Sequence, residues 1–158
     1  MVIFAVKISA GADAAVPYPS LRTMTAPELR AVERCAQQYL QTFRSEGIAK
    51  AVEYCHFEAS EHHSQDAHRN LYIRSGCAIQ DYRIQRIDKI NDGLYALTLE
   101  LQDASGQWKT VYNFVGRING AYRYINGVSH IPEALRTNFD PSAYRTVDVS
   151  VITARKLG

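Results

Sequence analysis

"GLYALTLELQDASGQWKTVYNFVGRINGAYRYING", residues 93–127, is the stretch whose reading decides the fold. In its first third the side chains alternate. Tyr95, Leu97, Leu99 and Leu101 share one side of an extended chain, while Thr98, Glu100 and Gln102 share the other. Successive side chains of a pleated backbone point to opposite faces, so this period of two predicts a half-buried strand. "DASGQ" then leads into Trp108, Thr110, Tyr112 and Phe114, alternating with Lys109, Val111, Asn113 and Val115. Both sets are partly apolar, which predicts a central strand covered on two faces. Asn119-Gly120 accepts the positive φ angles of a two-residue hairpin turn and sends the chain back through "AYRYING". Asn126-Gly127 is expected to break or bulge that strand near its end, and Ile131-Pro132 to stop regular pairing.

Working outward, "YRIQRIDKI" and the turn Asn91-Asp92-Gly93 supply one more strand upstream, and above it the apolar period lengthens to three and four. In "TAPELRAVERCAQQYLQTFRSEG", residues 25–47, Thr25 caps a helix, Pro27 occupies the first turn and Glu28 completes a capping box. Leu29, Val32, Ala36, Tyr39, Leu40 and Phe43 form one apolar stripe. Gly47 ends this helix, and "IAKAVEYCHF" predicts a short second one with Ile48, Ala51, Val52 and Cys55 inward. A third helix is expected over residues 64–74, with Ser60 or Ser64 as cap and Gly76 as stop. Far downstream, Val147, Val149 and Val151 alternate with Asp148 and Ser150 and predict an additional strand at a sheet edge. The opening "VIFAVKIS" has similar β character; it either pairs with that strand or stays unstructured.

The totals bound the class. A chain of 158 residues suits one domain that buries roughly 70% of its unfolded surface without staples. Eighteen basic and sixteen acidic side chains, interspersed, leave a formal charge of +2. That surface lacks the footprint of a phosphate-backbone binder, so nucleic acid is not an expected partner. Cys35, Cys55 and Cys77 show no C-x-x-C spacing and read as buried thiols rather than a disulfide framework. No apolar run approaches the ~20 residues of a membrane-spanning helix. The start, "MVIFAVKISAGADAAVP", has the Ala12-Asp13-Ala14 of an exported leader but no basic n-region, and Lys7 interrupts its apolar run. A cytoplasmic chain is the favoured reading and an exported one the alternative. The expected organisation is an N-terminal extension over residues 1–24, a domain over 25–135 and a C-terminal extension with a strand over 136–158.

Capped helix, Gly break and second helix in "YLQTFRSEGIAKAVEYC", followed by "YRIQRI" and the strands of residues 93–127, resemble the NTF2-like superfamily, also called the cystatin-like or SnoaL-like α+β cone. The resemblance covers residues 25–130 and implies three N-terminal helices packed on a strongly curved antiparallel sheet, with a cavity between them. It further implies a small-molecule or protein partner and a homodimer formed through the outer sheet face. Similar bacterial proteins use such domains as accessory modules. The family's steroid isomerases pair a tyrosine on the first helix with an aspartate base beyond the second. Tyr39 matches the former; at the latter position this sequence offers "SEHHSQD", and no Asp occurs in "WKTVYNFVGRINGAYRYING".

Two groups of residues carry candidate chemistry. His56, His62, His63 and His68, with Glu58, Glu61 and Asp66, invite a metal site, but neither H-E-x-x-H nor an i,i+4 histidine pair is present. His62 and Asp66 share a helix face only if the whole segment is helical. No metal and no cofactor is expected here. A general base drawn from His56, His62 or His63, with Tyr39 as donor, is the enzymatic alternative: an isomerase, dehydratase or hydrolase. The second group is the ten tyrosines. Tyr39, Tyr54, Tyr72, Tyr112, Tyr122 and Tyr124, with Phe114, are candidates to line a pocket for an apolar or amphipathic ligand, and Arg117 to meet a carboxylate. Against each stands ordinary packing, or for Arg117 a solvated strand end. Cys55 and His56 are only sequence neighbours, and no nucleophile elbow or Gly-rich phosphate loop occurs. The leading expectation is a non-enzymatic binding module.

Overall fold

The computed structural model describes residues 6–7 and 23–145. Helix α1 (Ala26–Glu46) is followed by the one-turn α2 (Ile48–Ala51), a 3₁₀ turn at Val52–Tyr54 and α3 (Gln65–Ser75). Strands β1 (Val6–Lys7), β2 (Asp81–Asn91), β3 (Leu94–Gln102), β4 (Trp108–Ile118) and β5 (Ala121–Ile125) form one antiparallel sheet in chain order. Three 3₁₀ turns, Val128–His130, Glu133–Leu135 and Pro141–Tyr144, close the described chain.

The local signals act where the sequence puts them. Thr25 and Glu28 make both bonds of the capping box, each at 3.2 Å, satisfying two helix-end donors that would otherwise need water. Ser64 caps α3 and Gly76 ends it in the left-handed region at φ 61°. The helix starts after Ser64, so His62 lies outside it and shares no helix face with Asp66. Asn119 and Gly120, at φ 53° and 82°, form the tight turn between β4 and β5. The second helix is shorter than its sequence suggests. Cys55 turns extended and bridges Tyr124 in parallel, with the His56 N–H donating to the Tyr124 carbonyl at 2.8 Å. Pairing with the sheet edge thus replaces further helical turns. Val6 and Lys7 pair with Ile87 and Arg86 of β2; the strand expected at 147–151 lies outside the described residues.

Helix α1 lies in the hollow of the sheet. It meets β2 where the Tyr82 hydroxyl lies 2.6 and 2.7 Å from the amide oxygens of Gln37 and Gln41. It meets β5 where Tyr39 stacks on Tyr124 at 3.9 Å. Gln37, Tyr39 and Gln41 lie within about 6 Å along the helix axis, whereas β2 to β5 laid flat would span about 14 Å, so this one turn touches both only if the sheet curls around it. Register shifts between Ile84 and Arg86, and between Lys89 and Asn91, supply bulges of the kind that bend a strand. This is the α+β cone that the resemblance implied: three leading helices, then a curled antiparallel sheet.

Each sheet face carries its own core. Inside, Ile84, Ile87, Leu97, Leu99 and Val115 pack against Val32, Ala36, Leu40 and Phe43. Burial of each such large side chain contributes about 1.5–3 kcal/mol. Outside, Ile90, Leu94, Ala96, Phe114 and Ile125 are covered by the chain's own Ile131, Leu135, Phe139 and Tyr144. Leu135 sits in a dent: a Cβ on Gly93 would lie 2.8 Å from one of its methyls, and a Cβ on Gly116 3.1 Å from the other. The Asn91 amide holds this cover by donating to the carbonyls of Leu135 and Thr137 at 3.0 and 2.7 Å. Elsewhere the outer face is polar. Arg86 and Asp88 form a buried pair at 2.8 Å, and Arg83 pairs with Glu100 at 3.1 Å while lying 3.9 Å over the Trp108 ring.

Candidate functional site

A cavity of about 530 Å³ opens beside the C-terminal half of α1. Its origin is a length mismatch. β4 runs from Trp108 to Ile118, but β5 pairs only with 114–118, and the chain leaves the sheet at Asn126. The inward side chains of Val111 and Asn113 therefore border a hollow rather than a neighbouring strand. Tyr39 and Phe43, one turn apart on α1, make its floor with Ile48 and Leu101. Tyr72 and Cys77 form a wall at the end of α3, and Asn126, Gly127, Val128, Pro141, Ser142, Tyr144 and Arg145 form the lip. Floor residues are buried, whereas Pro141, Ser142 and Arg145 are exposed. The lip is thus the wet side.

The polar groups here are mostly engaged. The Tyr124 hydroxyl donates to Asn113 Oδ1 at 2.7 Å, and Asn113 Nδ2 donates to the Tyr112 carbonyl at 2.8 Å. The Asn126 amide nitrogen and oxygen are buried and meet hydrogen-bond geometry with no group among the described residues, although the side chain is near enough to Tyr39 to favour its ionised form. Burial raises the Tyr39 and Tyr124 phenols well above their ordinary range and pushes Tyr72 up to about 12. A tyrosine in that condition donates a hydrogen bond and does not abstract a proton. No Asp, Glu or His stands among the described residues that line the cavity, and Arg145 is the one charged side chain there.

Of the expected ligand contacts, Tyr39, Tyr72 and Tyr112 line this cavity, Tyr112 from the outer side of β4, where its ring meets Tyr144 edge-on at 5.6 Å. Tyr124 sits behind Tyr39, stacked on it. Tyr54 is half-buried against the inner core. Phe114 faces the opposite side of the sheet, because its neighbours Asn113 and Val115 take the inward positions; its ring meets Phe139 and Tyr144 edge-on at 5.7 and 5.6 Å. Arg117 is exposed, with its guanidinium 5.6 Å over the Tyr122 ring. These four are not among the residues that line this cavity. Phe43, Asn113, Asn126 and Arg145 are additions to the expected lining. Phe43 lies four residues from Tyr39 on the same stripe, and Asn113 is an inward polar residue in an apolar strand, so both left a signal in the sequence.

The candidate bases lie elsewhere. None of His56, His62 and His63 lines the cavity, and His62 projects into solvent with 80% of its side chain exposed. His56 Nε2 lies 2.6 Å from Glu58 Oε2. His130, far from the other histidines in sequence, joins them: the Glu58 N–H donates to its Nδ1 at 3.2 Å. The His130 ring is 5.0 Å from that of His68, which is 5.1 Å from that of His63. Among the described residues, no three His, Cys, Asp or Glu side chains are arranged to hold a metal ion.

No protein-family model and no curated protein matches the chain. Among solved structures it is similar to a protein described as an NTF2-like transpeptidase from Campylobacter jejuni. The two are 12% identical with a TM-score of 0.39, over 63% of this chain and 97% of that one. It is also similar to a protein with a cystatin-like fold from Nostoc punctiforme, at 12% identity and a TM-score of 0.40, over 65% of this chain and 89% of that one. Within the described residues, no helix is long and apolar enough to cross a membrane.

Proposed function

We propose that this chain is a non-enzymatic binding module whose cavity takes a small amphipathic molecule, neutral or anionic. The observation that carries this reading is the lining: an aromatic and aliphatic floor, a few polar groups at the lip, no acidic side chain among the described residues, and a volume suited to a small ligand. Arg145 favours a negative group at the wet side and disfavours a cation. Isothermal titration with three ten-carbon probes tests it. 1-Decanol and decanoate are expected to bind, decanoate the more tightly, and decylammonium at least tenfold more weakly than decanoate. Absence of heat with all three up to their solubility would sink the reading.

The enzymatic alternative, an isomerase, dehydratase or hydrolase, draws on one observation, the His56–Glu58 pair at 2.6 Å. A carboxylate so placed orients an imidazole for proton transfer. It requires His56 to reach a substrate that also touches Tyr39, and a ligand-bound structure with His56 more than one water away from the ligand would remove it. Homodimerisation remains part of the proposal, confined to the outer-face region around Arg83, Glu100, Trp108 and Thr110, because Leu135, Phe139 and Tyr144 cover the rest. A single monomer mass by analytical ultracentrifugation at high concentration would end it.

A further inference from the structure

His130 is 4% exposed and stands between the segment after Tyr54 and the lip of the cavity. Its Nδ1 accepts the Glu58 N–H, which only a neutral imidazole can do, since both ring nitrogens donate once the ring is protonated. Its own 3₁₀ turn, Val128–His130, carries Val128 of the cavity lip, and the His130 N–H donates to the Gly127 carbonyl at 3.0 Å. The same ring meets Tyr72, a cavity wall, at 6.2 Å and Phe57 edge-on at 5.1 Å. One imidazole therefore touches the 56–63 segment, α3 and the cavity lip together.

The titratable and charged groups facing it can be named. His56 and Glu58 come from the segment after Tyr54, His68 and Tyr72 from α3, and Arg69 lies 5.6 Å over the Phe57 ring; Val128 and Ser129 of its own turn add none. His68 is tethered by its Nε2 to the Ser60 hydroxyl at 3.1 Å, and the Ser60 N–H donates to the His63 carbonyl at 2.8 Å. A proton on His130 would thus cost the Glu58 hydrogen bond and place a charge in an apolar seat beside two further histidines.

We propose that His130 is an acid-released latch that ties the 56–63 segment to the turn carrying Val128 and so keeps the cavity lip in its binding position at neutral pH. This deepens the binding reading given above and rests on it. Burial, then His68 and His56, depress the imidazole to about 4 from its ordinary 6.5, while Glu58 opposes them. The sign follows. The latch is at full strength above about pH 6.5, weakens by up to tenfold per pH unit below that, and is spent near pH 4. Between pH 7 and 5 the latched population should lose more than a factor of ten against the released one.

Amide hydrogen exchange at Glu58, corrected for intrinsic rates, reads the latch without any ligand. Its protection is expected to fall more than tenfold from pH 7 to pH 5 while Leu97, in the inner core, stays constant. His130→Asn offers an acceptor that does not titrate and should keep Glu58 protected at both pH values, whereas His130→Phe should leave it unprotected at both. Should His130→Phe fail to fold, the Asn variant alone decides. Glu58 protection that ignores pH, or a pH response that survives in His130→Asn, would overturn the latch. 1-Decanol, which carries no titrating group, then reads the gating: its affinity should fall with Glu58 protection in the native protein and not in His130→Asn. An affinity independent of pH despite a released Glu58 would overturn the coupling to the cavity. No decanol binding at pH 7 would sink the cavity reading and the gating, with the Glu58 measurement still judging the latch.

Discussion

At Glu28, near its start, α1 is tied to the sheet by charge; at Phe43, near its end, the same helix borders the cavity. Glu28 accepts from the Lys89 ammonium at 2.7 Å, from the Tyr95 hydroxyl and from the Thr25 N–H, and the Tyr122 ring packs edge-on against Tyr95 at 6.0 Å. Side-chain exposures of 16% and 12% for Glu28 and Lys89 put this pair largely out of water, where a charge must be partnered. At the far end the described polar atoms that line the cavity are neutral, apart from Arg145 at the lip, while Arg44, outside that lining, pairs with Asp81 of β2 at 3.0 Å. With the helix held by the Glu28 cluster near its start and by Gln37, Gln41 and Arg44 along β2 near its end, its cavity face can stop short of close packing without the helix sliding. A cavity and a rigid fold are compatible on this chain because they sit about 22 Å apart along α1.

The comparison breaks hardest at Lys89. Lys89→Met should destabilise by about 3 kcal/mol, because it leaves the Glu28 carboxylate in a largely buried seat without its counter-ion. Urea unfolding gives that number, and the double variant with Glu28→Gln should recover more than half of it. Decanol affinity, measured on the folded fraction, should stay within twofold. Loss of binding would mean the two ends are coupled. The same pair sets an acid limit. Although burial works the other way, Lys89, Tyr95 and Thr25 hold the Glu28 carboxyl below its ordinary 4.5. Its stabilisation is therefore fully present above about pH 4.5 and lost as the pH falls through the lowered value, and Lys89→Met should flatten that part of the stability profile.

Gly120→Val tests the hairpin between the ends. With φ at 82° a β-branched residue is strained, and the expected loss is about 1 kcal/mol or more in thermal or urea unfolding. Binding should follow only the loss of folded protein; an unchanged melting curve with abolished binding would make the turn a recognition loop. Smallest in stability and largest in binding is Val111→Phe, which adds bulk to the cavity wall. Stability should move by less than about 1 kcal/mol, since the added ring has space to enter, while decanol affinity should fall at least tenfold. A loss above about 2 kcal/mol would mean the space there is too small to hold a ligand.

What could be read ahead of the structure was what is local. The Thr25–Glu28 box, the Ser64 cap, the Gly76 stop and the Asn119-Gly120 turn each depend on residues no more than three apart, and each stands where its signal lies. The end of the second helix was not legible, because the bridge that terminates it joins Cys55 to Tyr124. Nor was the outer cover, which shows no periodic pattern; the seat of Leu135 depends on Gly93 and Gly116, on two different strands. The site divides in the same way. Alternation along β4 already put Phe114 on the opposite side from Val111 and Asn113, so its place could have been inferred. His130 enters the histidine group through a hydrogen bond to Glu58, a partner 72 positions earlier, and no spacing rule reaches that far.

The stacking of Tyr39 on Tyr124 also has a meaning in time. The residue that finishes the seat of α1 is made roughly 85 positions after the helix face it receives. At 5–20 residues per second, a ribosome delivers Tyr124 about 4–17 s after Tyr39. Until then Tyr39, on the apolar stripe of α1, lacks the ring that stacks on it in the finished fold. The contact that seats α1 on β5 is thus also among the late ones to form as the chain is made, because it joins residues so far apart in sequence.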